Sequence, residues 1–352
     1  MTRREFAAFA AGFLSLALVG CGGSPAGTGS AARAGSGGSG RDAGGTAVRV
    51  ASLKGPTSIG LVPFMDKVSQ EAGDAGGSAD DLENTYAFEI SAAADEIVPK
   101  IIKGDIDIAL LPANVASVLH SKTGGGVAVL DINTLGVLYV AAADDSIQSI
   151  ADLKGKTLYM TGKGTTPDYV LQYLLSANGM TSDDLTIEYK SEAAEVAAVL
   201  KEQTDAIGLL PQPFVTVAMA QNENLKMALN LTEEWEKTQP ENGSALVTGV
   251  TVCRKDVLED QADAVDTFLK EHEASAAFAN ANVEETAQLV ADAGIIEKAP
   301  IAAKAIPYCS ITYIDGADMQ AKVSGYLSVL FDQDPSSIGG QLPDEGFYLI
   351  YS

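Results

Sequence analysis

Positive charge is scarce in this 352-residue chain: 23 lysines and arginines stand against 47 aspartates and glutamates, a net charge of −24. A surface this acidic repels nucleic acid and anionic lipid headgroups, so neither is expected as a partner. Histidine is scarcer still, with His120 and His272 alone. Three cysteines, Cys21, Cys253 and Cys309, show no CxxC and no metal-ligand spacing, so no metal site is expected. A hydrolytic triad needs a histidine near a nucleophile and an acid. His120 closes a helical pattern at Thr123-Gly124, and His272 sits among glutamates on an expected exposed helix. Neither has a nucleophile motif nearby, and no catalytic residue is assigned. Aromatic residues make up 6%, so the core must be mostly aliphatic. Apolar runs are short as well: the one from Phe6 to Val19 falls below the ~20 residues that span a bilayer.

What is present is ordinary globular composition, 46% hydrophobic and 20% charged, in a chain long enough for about two domains. Residues 1–21 read as an export signal: Arg3 and Arg4, then the apolar run, then Leu18-Val19-Gly20-Cys21. That ending resembles the lipobox of bacterial lipoproteins, which implies lipidation of Cys21. Thr2-Arg3-Arg4-Glu5-Phe6 also resembles a twin-arginine signal, and an ordinary secretory signal fits too. Residues 22–46 are rich in Gly, Ser, Ala and Thr and read as a flexible tether. The expected location is the extracytoplasmic face of the cell membrane, held by the lipid alone.

The body carries an internal repeat. Strand 48–53 leads into Lys54-Gly55-Pro56-Thr57, and strand 157–161 leads through Gly162 into Lys163-Gly164-Thr165-Thr166. Strands 86–90 and 185–189 come next, then helices holding Glu96 and Glu195. Ile108-Ala-Leu-Leu-Pro112-Ala-Asn114 then matches Ile207-Gly-Leu-Leu-Pro211-Gln-Pro213. The first copy is longer by an acidic, Gly-rich loop at 72–81. Each copy reads strand–helix–strand–helix–strand, which is the logic of a parallel α/β sheet with helices on both faces. Ligands of such sheets bind beyond the carboxyl ends of the strands. If two lobes face each other, both K-G-x-T segments and both L-L-P segments converge on one cleft.

The mature region resembles solute-binding proteins of the periplasmic-binding type II fold, in the nitrate/sulfonate/taurine-like class. The resemblance rests on residues 54–58, on Ile-Ile-Lys-Gly-Asp-Ile-Asp-Ile-Ala-Leu-Leu-Pro at 101–112, on 149–157, and on 249–268. It implies two doubly wound lobes with a hinged cleft, lobe 1 at 47–138 plus 248–352 and lobe 2 at 139–247. It also implies a small-molecule solute, an ABC permease and ATPase as partners, no cofactor, no enzymatic activity and a monomeric chain. A surface lipoprotein with an adhesive or structural role is the alternative, and an enzyme on the same fold the remoter one. The ligand class stays open between anions, such as sulfonate, nitrate or bicarbonate, and polar heterocycles of pyrimidine or flavin type.

Candidate ligand-binding residues follow from the loops. Lys54, Gly55, Pro56, Thr57 and Ser58 form the first-lobe loop, whose hydroxyls can cap a helix or bond a ligand. In Gly162, Lys163, Gly164, Thr165 and Thr166, Thr166 suits an N-cap and Pro167 the first helical position, so backbone N–H groups and the positive helix end favour an anion or carbonyl. Asp168 in the same turn counters that preference. The turn is G-x-G-x-x-P, not a dinucleotide fingerprint, and Gly155-Lys156-Thr157 lacks the leading glycine of a P-loop. Pro112, Asn114, Gln212 and Phe214 follow the L-L-P strands, with Ser244 and Thr248 weaker candidates. Trp235 is read as helix packing. Pro63 should kink or restart the first helix, expected at 57–70, and Pro99 should fall near the first turn of its own. Cys253 and Cys309 are either free or joined in a disulfide.

Overall fold

The structure, a computed structural model, describes residues 47–73, 86–238 and 244–350. The signal at 1–21 with Cys21, the tether at 22–46 and residues 74–81 of the acidic loop lie outside them.

Two sheets organise the body. Strands β1 (Val48–Leu53), β2 (Tyr86–Ser91), β3 (Ile108–Pro112), β4 (Val127–Leu135), β10 (Val247–Arg254) and β11 (Ile311–Ile314) form the first, in the order β2-β1-β3-β10-β4-β11. Strands β5 (Leu138–Ala142), β6 (Thr157–Met160), β7 (Thr186–Tyr189), β8 (Ile207–Pro211) and β9 (Lys226–Asn230) form the second, in the order β7-β6-β8-β5-β9. The repeat is visible in the pairing. β1 lies parallel between β2 and β3, as β6 lies parallel between β7 and β8. Outside each parallel trio the direction reverses: β10 runs antiparallel to β3, and β5 antiparallel to β8. Both sheets are therefore mixed, and the parallel expectation holds for three strands of each.

Helices α1 (Pro56–Ile59), α2 (Val62–Gly73), α3 (Ala94–Lys103) and α4 (Ala113–Lys122) connect the first sheet. Helices α5 (Thr166–Ala177), α6 (Ala193–Glu202), α7 (Phe214–Gln221) and α8 (Leu231–Thr238) serve the second. The chain then builds α9 (Lys255–Asp260), α10 (Ala262–Ala281), α11 (Val283–Asp292), α12 (Ala299–Ala305) and α13 (Gly316–Gln333). The first expected helix is split. It stops at Gly60-Leu61 and restarts at Val62 with Pro63 in its first turn, where the missing N–H costs no hydrogen bond. Pro99 lies deeper than expected, in the middle of α3 and exposed to solvent. The equivalence of α3 and α6 extends to their starts. The Ala92 N–H donates to the Glu96 carboxylate at 3.1 Å, and the Ser191 N–H to that of Glu195 at 3.0 Å. Each glutamate satisfies a donor at the positive end of its helix.

Buried polar groups tie the first sheet together. Asp107 accepts from the Arg49 backbone N–H at 2.9 Å, from its Nε at 2.8 Å and from its Nη2 at 2.6 Å. Arg254 approaches the same carboxylate at 3.5 Å, so β1, the start of β3 and the end of β10 share one charge cluster. A second cluster corrects the sequence reading. His272 is fully buried on α10, not exposed, with its Nδ1 3.4 Å from Oδ2 of the equally buried Asp131 on β4. Glu271 and Glu273 point to either side of it, while the His272 ring lies inward against Phe268 and Tyr313. Thr251 donates to Asp131 Oδ1 at 2.9 Å, and Asn133 donates to Thr251 at 3.2 Å. Cys253 and Cys309 are both free and buried, each in a different apolar cluster.

The largest apolar cluster joins residues of both sheets, including Leu111 and Val250 of the first and Leu158 and Leu209 of the second, with Met319, Val323, Leu327 and Leu330 of α13. Two crossings connect the sheets, at Gly136 and at 244–246. A side chain at Gly136 would collide with Thr232 and Leu246, so this crossing is packed too closely for any residue larger than glycine.

Asp131 and His272 are both fully buried, and removing one leaves the other uncompensated. His272→Leu is expected to lower the unfolding free energy by ~3 kcal/mol, and adding Asp131→Leu should recover part of that loss, read from denaturant midpoints. Burial also pushes the phenols of Tyr139 and Tyr348 up to about 12 and raises those of Tyr86 and Tyr326. The folded state holds these protons more tightly than the unfolded chain does. Their stabilisation is therefore complete below the ordinary tyrosine value near 10 and is lost as pH rises through about 12. Tyrosinate absorbance and unfolding monitored together across that interval should show ionisation and unfolding coinciding.

Candidate ligand-binding site

Parallel strands followed by helices point helix N-termini at the carboxyl edge of a sheet. In the first sheet, β1 ends at Leu53 and turns through Lys54 and Gly55, which has a φ of 149° that favours glycine. Lys54 is exposed and Pro56 half-buried. Thr57 and Ser58 are buried and turned inward. Their hydroxyls donate to the Leu53 carbonyl at 3.1 and 2.5 Å, and Ser58 also meets Ser52 at 2.7 Å. They close the turn and cap no helix N–H.

The second-sheet turn is built differently. Gly162 and Gly164 adopt φ of 79° and 69°, and the Thr165 hydroxyl donates to the Gly162 carbonyl at 2.6 Å. The N-cap of α5 is Thr165, one residue earlier than expected, which places Thr166 and Pro167 in the first turn. Asp168 fills part of this helix end. Its Oδ2 accepts from the Gly164 N–H at 2.8 Å, and its Oδ1 from the Tyr189 hydroxyl at 2.9 Å and Gln172 at 3.2 Å. The chain's own carboxylate thus takes one of the donors that the sequence offers to an anion. Lys163 is exposed, with its ammonium 5.3 Å from the centre of the Tyr189 ring.

The L-L-P strands diverge in use. Pro112 is the N-cap of α4, and Asn114 follows in its first turn. The Asn114 amide donates to the Ser337 carbonyl at 3.4 Å, while its Oδ1 lies 3.5 Å from the Thr166 hydroxyl. Gln212, by contrast, is buried. Its side chain accepts from Thr216 at 2.8 Å, and its backbone N–H donates to Val137 at 2.9 Å. Phe214 opens α7 and is 39% exposed, so it belongs to the surface and not to the core. Asn114 and Thr166 are thus the predicted site residues that meet from opposite sheets, and among the described residues no other hydrogen bond joins two of them across that divide. The N-termini of α4 and α5 meet at this point, so two helix dipoles reinforce each other there.

Residues far along the chain complete the surroundings. Tyr326 of α13 is fully buried beside Thr166; burial pushes its phenol up, and the Thr166 hydroxyl pulls the other way. Trp235 packs as expected, 4.5 Å from the Tyr173 ring and 5.6 Å from that of Tyr326, with its indole N–H donating to Ser244 at 3.3 Å. Asp334 accepts from the Tyr169 hydroxyl at 2.9 Å, a second link from the C-terminal region to α5. No local motif marks Tyr326, whose partner Thr166 lies 160 positions away, and the local sequence marks Asp334 only as the cap of the next turn, where it accepts from Ser336, not as a partner of Tyr169.

Comparison with known proteins agrees with this architecture. Residues 79–301 match the family described as the phosphonate, periplasmic substrate-binding protein of ABC transporters. Curated binding proteins of Brucella abortus and Brucella suis are 25% identical over 216 residues, 61% of this chain. The matched region spans 65% of those relatives' length. An ABC transporter structure from Parabacteroides distasonis superposes with a TM-score of 0.70 at 22% identity, covering 88% of this chain and 100% of that one. The periplasmic aliphatic sulphonate binding protein of Escherichia coli does so at 0.67 and 14% identity, covering 88% and 93%. Two mixed α/β sheets with facing carboxyl edges, and a family match over more than half the chain, make this protein a member of the phosphonate-type periplasmic substrate-binding family of ABC transporters.

Proposed function

We propose that this protein is the solute-capturing component of an ABC importer, closing two lobes on a small anion and delivering it to a permease and its ATPase. Lobe 1 comprises 47–138 and 248–352, and lobe 2 comprises 139–247. The observation that carries the reading is the meeting of two helix N-termini, one from each sheet, at Asn114 and Thr166. Helix ends stabilise negative charge, and an anion held between two of them draws the lobes together. Lys54 and Lys163 add positive charge at the rim, and Gly55 and Gly162 let backbone come close to the ligand. Pro112, Gly164 and Thr165 shape the same loops, while Pro56, Thr57, Ser58 and Gln212 support them from behind and Phe214 borders the opening. The family's phosphonate description favours a tetrahedral oxyanion over a heterocycle.

The protein is read as a binder and not a catalyst. His120 is engaged with the Val127 carbonyl at 2.7 Å and with the Phe347 ring, and His272 lies beneath the first sheet. Cys21 carries the lipid that tethers the monomer to the extracytoplasmic face of the membrane.

Thermal unfolding of the full chain should be followed with methylphosphonate, methanesulfonate, nitrate and a pyrimidine. A ligand at 100 times its dissociation constant is expected to stabilise by ~2.7 kcal/mol. Asn114→Ala and Thr166→Ala should each weaken the anion about tenfold, the scale of one hydrogen bond to a charged group. Stabilisation by none of these compounds would favour the adhesive lipoprotein instead. Separately, Cys21→Ser should move the protein from the membrane to the soluble fraction.

A further inference from the structure

A groove of about 900 Å³ runs beside α5, between edge strand β7 and the last turn of α13. Its walls include three tyrosines, Tyr169, Tyr173 and Tyr189, and its charged groups are Lys163, Asp168 and Asp332. Each phenol hydroxyl donates to a group of the protein: Tyr169 to Asp334 at 2.9 Å, Tyr173 to Thr238 at 3.1 Å and Tyr189 to Asp168 at 2.9 Å. What the tyrosines offer a ligand is therefore ring surface. Aromatic faces carry the negative end of a quadrupole and attract cations. Donation to a carboxylate, as by Tyr169 and Tyr189, makes a phenol ring richer in electrons still.

The chain shows where a cation sits. The Lys163 ammonium rests 5.3 Å from the centre of the Tyr189 ring, inside the ~6 Å range of a cation–π contact. With Lys163 in place the groove carries one excess negative charge, and without it two, from Asp168 and Asp332. Asp168 is fixed by three donors, whereas Asp332 is exposed at the end of α13. The net charge of −24 over the whole chain favours the approach of cations further.

We propose that this groove is a second ligand site, for an organic cation of the quaternary ammonium or protonated amine type, whose charged group takes the place over Tyr189 that Lys163 occupies. It shares Lys163 and Asp168 with the turn of the anion reading above, but uses the flank of α5 instead of its N-terminus. Lys163 acts as an internal competitor, so freeing the ring and leaving the carboxylates should improve binding.

The test is calorimetric titration of the full chain with choline, and with 3,3-dimethylbutan-1-ol as its uncharged counterpart. Choline is expected to bind saturably and about tenfold more tightly than the alcohol. Lys163→Ala should tighten choline roughly threefold, and Asp332→Asn should weaken it roughly threefold. Both side chains are exposed, and opposite effects from two surface changes do not arise from misfolding. The proposal is overturned if choline shows no saturable binding, if the alcohol binds equally well, or if both variants leave choline affinity unchanged. Methylphosphonate titrated into the same samples separates the two readings. Anion binding without choline binding defeats this inference alone, and choline binding without anion binding defeats only the choice of an anion as the solute.

Discussion

Helix α13 is the element on which the arrangement of the two sheets depends. It packs against β4 and β10 of the first sheet, against α4, and against α5 beside the second. Met319, Val323, Tyr326, Leu327 and Leu330 are buried along it and belong to the cluster that both sheets share. Burying such side chains is worth ~1.5–3 kcal/mol each before the entropy of ordering them is counted. That contact holds α4 and α5 to one helix, and with them the point where Asn114 meets Thr166. The 3₁₀ turn after α13 adds polar links, with Asp334 receiving Tyr169 and Ser337 receiving Asn114. Site and scaffold meet in the same few residues.

The repeat was legible because it is local. Strand lengths, the joints at glycine and proline, and the matched Glu96 and Glu195 all depend on neighbours within a few positions. Their counterparts are found as β2-β1-β3 and β7-β6-β8. Pro63 was legible for the same reason, since a proline without a partner carbonyl belongs in a first turn. The strand boundaries of β6 and β7 moved by one residue, which is the ordinary scatter of element ends.

Long-range packing accounts for what was missed. His272 lies among glutamates in sequence, but a helix separates neighbours onto different faces, and one of those faces lies on Asp131. Thr57 and Ser58 could serve a ligand or the chain, and the free carbonyl at the end of β1 decided for the chain. Gln212 was drawn inward by Thr216 for a similar reason: a buried amide needs partners. Asn114 and Thr166 belong to separate loops, and their meeting depends on how the sheets sit together. Asp168 reads in the sequence as a counterweight to an anion, and in the fold it accepts from the Gly164 N–H of that turn directly.

The two internal cysteines carry a further consequence. Burial pushes the Cys309 thiol up to about 12 and raises that of Cys253 as well. The thiolate is the reactive form, so both sulfurs stay protonated and chemically quiet at neutral pH. Neither forms part of a crosslink. The described fold therefore holds together with no crosslink to form or to lose, and a change of redox surroundings leaves its core as it is.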